Sequence, residues 1–419
     1  MYDQLADAMT VFSEAKNIFP YWQKEALRQW EDWFEGFLPQ IVEGMSERAF
    51  YLHLMKGTAQ LNDGHTTVYP PQALARTTFS PISFCWIENQ LCISKATAAY
   101  QQFLYQPIRL INGLTPEDFL AEKVLPYFWH EKINFALQEF TDYAFFILQE
   151  NYTLTFTSES IEIPFESEFP KFVERNTLPK TAKWIAENSS AAFYQLADKA
   201  YIQLKNFASE AVVRSFYGQL PWLSKQTALI FDLRNNPGGN SGYADQICQA
   251  FFTEKFPVEG AFRQVIDLEK YANGSQLLHQ QKETWEDSEL ECLQTFQHQY
   301  LEKSEEYSFT PEYCGKLADM PVMILQNEGT YSSAENFLIA FDTQQRATLI
   351  GTASAGSTGQ PAWISLKTGG IFQITAKKVC YPDGRPHHNI GVLPQRVIQT
   401  ALADYQADRD PALEEATRK

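Results

Sequence analysis

The sequence predicts an α/β protein with a helical N-terminal domain and a small mixed domain ahead of the α/β core. Three observations predict it. Apolar residues recur at spacings of three and four up to about residue 70. Short alternating stretches follow to about residue 168. From about residue 170 onward, near-continuous apolar runs alternate with helical patterns, as in an α/β core. At 419 residues the chain is long enough for two or three domains. The expected divisions are 1–72, 73–168 and 169–419, with a helical insertion at about 262–315.

The elements follow in order. Tyr21 to Trp30 and the stretch beyond it to Leu61 carry the helical period, and Pro70-Pro71 closes this part. Ser83 to Ile93 reads as a hairpin turning at Glu88-Asn89, with Cys85 facing Cys92. Ile108 to Phe119 reads as a strand, a tight turn at Asn112-Gly113 and a helix start. Tyr152–Thr157 and Ser160–Phe165 alternate as short strands. Ala200–Leu204, Ala228–Leu233, Pro321–Leu325 and Ala347–Ile350 are the core strands, and Ala228–Leu233 is apolar enough to be buried on both faces.

Composition excludes several classes. Hydrophobic residues at 44% and charged residues at 20% describe a folded chain. A formal charge of -17 repels phosphate backbones, so nucleic acid is excluded as a partner. No run of eighteen apolar residues offers a membrane span. The six cysteines have no metal-ligand spacing, so neither a metal nor a cofactor is expected, and Cys85 and Cys92 are expected as free thiols. The N-terminal residues lack a basic start and an apolar stretch. The expectation is therefore a cytoplasmic protein, or a secreted or periplasmic one whose leader was removed.

Three segments carry residue types suited to chemistry. In Leu325–Glu335 a buried strand runs through a polar turn into a helix, which places Ser332 at a helix N-terminus, where N–H groups and the dipole favour a developing negative charge. Read alone, Ser332 or Ser333 is a helix cap, with Glu335 or Asn336 completing a capping arrangement. In Asp232–Asn240 the pair Gly238-Gly239 lets backbone N–H groups approach a ligand closely. In Leu61–Val68, His65 could act as a general base, or could be one structural histidine among seven.

Together, and in this order, the segments Asp63-Gly64-His65-Thr66, Asp232-Leu233-Arg234-Asn235-Asn236-Pro237-Gly238-Gly239 and Tyr331-Ser332-Ser333-Ala334-Glu335 resemble the carboxyl-terminal processing and tricorn-type serine peptidases, family S41. The resemblance implies a crotonase-like core and places a degenerate, PDZ-like peptide-binding domain at 73–168. It implies Ser332 as nucleophile, with an oxyanion hole from the Ser333 N–H and the Gly238-Gly239 turn, and a peptide or unfolded protein as substrate. One branch of the family pairs its serine with a lysine, but Ser357 stands in that slot here. The tricorn-like branch uses a histidine, and His65 fits its position, although Gly64 precedes it where tricorn has a serine. The late carboxylate of that branch would fall near His388, with Asp383 and Asp63 as substitutes. The competing expectation is a non-catalytic protein that binds peptides or hydrophobic ligands on the same fold.

Overall fold

The computed structural model describes residues 1–418 apart from 174–177, 265, 266, 279, 281 and 283. Contacts divide the chain into two units, and neither is a continuous stretch. One comprises Met1–Ala75, Gly260–Glu305 and Gly359–Val379; the other comprises Arg76–Glu259, Glu306–Thr358 and Cys380–Lys419. This differs from divisions at 72 and 168, because strand pairing rather than proximity in the chain decides membership. The mixed segment after residue 75 goes with the α/β core, and residues 359–379 go with the N-terminal helices.

In the first unit, the helices Tyr2–Ile18, Lys24–Glu43 and Glu47–Ala59 bury an aromatic core of Trp30, Phe37, Phe50 and Tyr51. Phe12 stacks on Phe34 at 4.0 Å and Trp30 on Trp33 at 4.5 Å. Aromatic pairs at this spacing add to the energy of burial itself. The strand Thr67–Tyr69 pairs antiparallel with Ile371–Thr375, which in turn pairs with Pro361–Ser365. The turn of that hairpin is held by Asp7, a buried carboxylate of the first helix, which accepts the N–H groups of Lys367 (2.6 Å) and Thr368 (2.8 Å). The helical insertion contains the helices Leu268–Leu277 and Asp287–Phe296. The strand Phe256–Gln264 precedes these helices and the strand Leu301–Ser308 follows them, so the stretch 262–315 is not all helical as expected.

The second unit is built on a seven-stranded sheet. Its order is Arg396–Val397, Thr348–Gly351, Val322–Gln326, Leu229–Asp232, Lys199–Leu204, Ala191–Leu196 and Lys183–Glu187. The first five strands are parallel, and the last three form an antiparallel meander. Side chains alternate along each strand, so the sheet has two apolar faces. Leu229, Phe231, Ile324 and Leu349 pack with Val212, Ala244 and Phe337 of the helices Ala211–Gly218, Ser241–Cys248 and Ser333–Thr343. Ile230, Leu325 and Ile350 face the other way, onto Ala412, Leu413 and Ala416 of the helix Pro411–Thr417.

The same unit carries the mixed segment. The hairpin Ile82–Ile87/Gln90–Ala96 turns at Glu88-Asn89, both left-handed (φ 49° and 60°), as a two-residue hairpin turn requires. Cys85 stands opposite Cys92, and both thiols are free. Leu110–Ile111, Tyr152–Thr155 and Ser160–Ile163 form a three-stranded sheet, and the helix Ile133–Leu148 packs against the hairpin. Among the described residues, no helix is long and apolar enough to cross a membrane.

Candidate active site

The strand Val322–Gln326 and the strand Leu229–Asp232 are parallel neighbours, so the turns that follow them lie side by side. Side chains staple one turn to the other. Asn327 Oδ1 accepts the Asn235 N–H (2.9 Å), and Thr330, fully buried, donates its hydroxyl to the Leu233 carbonyl (2.9 Å). Asn236 is fully buried as well. Its amide donates to the Leu204 carbonyl (2.7 Å), and its own carbonyl accepts the Tyr331 N–H (3.0 Å). A polar cavity of about 330 Å³ opens beside these turns, lined in part by Asp232, Arg234, Asn235, Gln326 and Glu328.

Ser332 sits at the junction with the helix Ser333–Thr343, at φ 55° and ψ −124°. The left-handed region is uncommon for a residue with a Cβ and costs on the order of 1–3 kcal/mol. An N-cap serine has an extended backbone and spends its hydroxyl on a helix N–H. Ser332 does neither: its side chain caps nothing. The helix-cap reading of Ser332 therefore fails on both backbone and side chain. Ser333 donates its hydroxyl to the Gly239 carbonyl (2.7 Å), so it is not the cap either.

The Gly238-Gly239 turn presses against this serine. A Cβ on Gly238 would lie 2.7 Å from the Ser332 Cβ and 2.8 Å from the Ser333 nitrogen, and Gly238 has φ 85°. The two N–H groups of the turn differ. The Gly238 N–H is committed to Asn236 Oδ1 (2.8 Å). This removes Gly238 from the expected pair of oxyanion donors and corrects the sequence expectation, because a single N–H aimed at a buried amide oxygen is not available to a substrate. Among the described residues of this unit, the Gly239 and Ser333 N–H groups have no acceptor.

Glu335, one helical turn beyond Ser332, does not complete a capping box. Its buried carboxylate turns instead to the loop 354–357. Oε1 accepts the Ser354 hydroxyl (2.6 Å) and the Gly356 N–H (2.7 Å) and lies 3.1 Å from His387 Nε2, while Oε2 accepts the Ser357 N–H (2.8 Å). Glu335 is 0% and His387 1% exposed. Burial works to raise the Glu335 carboxyl, but His387 and the donors around it outweigh burial and hold it below its ordinary value. Sequence reasoning missed this pair. It placed the late partner near His388, whereas His387, one residue earlier, meets a carboxylate.

The remaining candidates are placed as follows. His65 is buried in the first unit, and its carbonyl accepts the Gln373 amide N–H (2.9 Å). Asp63 is buried on the same turn, where its Oδ2 accepts the hydroxyls of Thr66 (2.6 Å) and Thr375. Asp383 is exposed and binds the Arg385 guanidinium (2.8 Å). His388 is half-buried. Arg234, in the motif beside the glycines, bridges two carboxylates: Asp232, and Asp410 through two bonds of 2.8 Å.

A buried strand here delivers a left-handed serine against a glycine turn, at the carboxyl ends of neighbouring parallel strands, an arrangement suited to a nucleophile. Residues 198–398, just under half of the chain, match the model of peptidase family S41. It is 25% identical over 214 residues to the carboxyl-terminal-processing protease of Synechocystis sp., covering 51% of this chain and 40% of that protein. The corresponding figures for the carboxy-terminal-processing protease of Bartonella bacilliformis are 24% identity over 226 residues, 52% of this chain and 43% of the relative. The chain thus spans less than half the length of these curated relatives. Among solved structures, mature CPAF complexed with lactacystin superposes with a TM-score of 0.70 over 97% of this chain and 95% of that one, at 13% identity. At that identity the likeness concerns the fold.

Proposed function

We propose that this chain is a serine peptidase of the carboxyl-terminal processing and tricorn type, which cleaves peptides or unfolded protein through an acyl-enzyme. The observation that carries this reading is the backbone of Ser332. A strained serine at a strand-to-helix turn, with a hydroxyl that caps no helix N–H, has the backbone a nucleophile uses and a helix cap does not.

Ser332 Oγ attacks the scissile carbonyl and forms the tetrahedral intermediate, while His65, as general base, takes the hydroxyl proton. The Gly239 and Ser333 N–H groups receive the oxyanion, each worth about 3–4 kcal/mol of transition-state stabilisation. His65 then returns the proton to the leaving amine, and water hydrolyses the ester. The match of residues 198–398 to family S41 supports the serine. The choice of histidine over lysine is supported by Ser357, which leaves the lysine slot without an amine.

A fluorophosphonate probe tests the reading. The wild-type chain is expected to be labelled, Ser332→Ala not at all, and His65→Ala at a rate lower by about 10²-fold or more. A folded wild type that takes no label and cleaves no peptide would show instead a ligand-binding protein on a peptidase fold. Unchanged labelling of His65→Ala would assign the base to another residue.

A further inference from the structure

The Glu335–His387 pair is buried in the second unit, and the proposed chemistry leaves it unused. Taking a carboxylate out of water costs several kcal/mol even after relaxation, and such a cost persists where hydrogen bonds offset it and the geometry serves a purpose. Glu335 receives four donors, three of them from one short loop: the Ser354 hydroxyl and the Gly356 and Ser357 N–H groups. The fourth, His387 Nε2, comes from 52 residues further along the chain.

The clamped loop holds the serine in turn. The Ser357 carbonyl accepts the Ser332 N–H (3.1 Å), and the Ala355 N–H donates to the Thr330 carbonyl (3.0 Å), so the turn is gripped on both sides of Tyr331. On the helix side, the Glu335 N–H donates to the Ser332 carbonyl (2.7 Å). Ser332 is thus held by its N–H through the loop that Glu335 organises, and by its carbonyl through Glu335 itself. The other end of the loop is fixed to the segment that carries His387. The Asn389 N–H donates to the Gly356 carbonyl (2.7 Å) and the Val392 N–H to Ser354 Oγ (2.7 Å).

We propose that Glu335 and His387 are positioning residues for Ser332. The buried pair fixes the loop 354–357, and the loop holds the nucleophile in its left-handed conformation. The loop is the one in which the Ser–Lys branch places its lysine, so this chain keeps that slot as a backbone clamp. Donors meet both oxygens of the Glu335 carboxylate, which ties its negative charge, one helical turn from Ser332, to the loop 354–357. This inference rests on Ser332 being the nucleophile.

The experiment is the kinetics of fluorophosphonate labelling in the full chain, with rate and final labelled fraction read separately. Glu335→Gln is expected to be labelled to completion at a rate at least about ten-fold lower, since a bond to a charged acceptor is worth more than a neutral one. His387→Gln, which keeps an N–H donor, is expected to retain more of the rate than His387→Ala. A role in stability alone gives the opposite pattern, with a smaller labelled fraction at an unchanged rate, and overturns the proposal. Should Glu335→Gln not fold, Ser354→Ala leaves the pair intact and removes one of the four bonds. It is expected to slow labelling by between about two- and ten-fold, and a wild-type rate there overturns the clamp. Wild-type rates in these variants, with Ser332 still labelled, sink the positioning role and leave the peptidase reading standing. A wild type that takes no label sinks both.

Discussion

Gly238 has no room for a side chain. The methyl of Gly238→Ala would sit 2.7 Å from the Ser332 Cβ, in a backbone conformation (φ 85°) that alanine rarely adopts. Either the glycine turn or the serine must shift, and both belong to the same site. Gly238→Ala is therefore expected to fold and to lose fluorophosphonate labelling by about ten-fold or more, the factor that a 1.4 kcal/mol distortion produces. Full labelling would show that the turn can move without disturbing Ser332.

A second prediction concerns Glu139 on the helix Ile133–Leu148. Desolvation, with Asp142 adding to it and Arg76 opposing it, pushes its carboxyl from 4.5 up to about 7. A carboxyl raised on folding weakens the fold once it must ionise, so the penalty is absent below pH 4.5 and complete above pH 7. Glu139→Gln should leave the melting temperature unchanged at pH 4 and raise it at pH 8, by the equivalent of about 1–3 kcal/mol after allowing for solvent. An equal effect at both pH values would refute it.

The serine itself was legible in the sequence because strand, polar turn and helix follow one another around it. Its left-handed backbone was not, since the same residues would make an ordinary cap. Nor could Glu335 and His387 be paired from one sequence, because only the folded loop 354–357 brings them together.

At the scale of elements, the sheet's centre was readable and its borders were not. Leu229–Asp232 is buried at every position, as its unbroken apolar run foretold. Lys183–Glu187 and Ala191–Leu196 were missed, because Lys183–Glu187 is a largely exposed edge strand whose side chains show no clean alternation. The hairpin Pro361–Ser365/Ile371–Thr375 escaped notice as well. It leaves Trp363 61% exposed, contrary to the pattern of a half-buried strand.

The C-terminal helix Pro411–Thr417 packs on one face of the sheet, and Asp410 anchors its N-terminus. Asp410 accepts the Leu413 N–H (3.0 Å) as its cap and binds Arg234 through two bonds. Asp410→Ala removes the cap and leaves the Arg234 guanidinium, largely buried, with a single carboxylate. The expected cost is about 3–5 kcal/mol, read from urea unfolding. A loss under about 1 kcal/mol would mean that Asp232 alone satisfies the arginine.

At the scale of the whole molecule, three separated segments make one unit and three others make the second. This explains why divisions drawn along the chain cannot recover the units: a boundary in sequence presumes that neighbours in the chain pack together. His65 and Ser332, which the sequence motifs put forward together, stand in different units.

The pairing of Thr67–Tyr69 with Ile371–Thr375 has a consequence for how the chain is made. Roughly 300 residues separate the two strands, so at about 5–20 residues per second the earlier one waits tens of seconds on the ribosome for its partner. Until then the turn that bears Asp63 and His65 has no strand to lean on, whereas Lys199–Leu204 and Leu229–Asp232 can pair soon after they emerge. His65, made early, is thus among the last residues of the chain to reach its final setting.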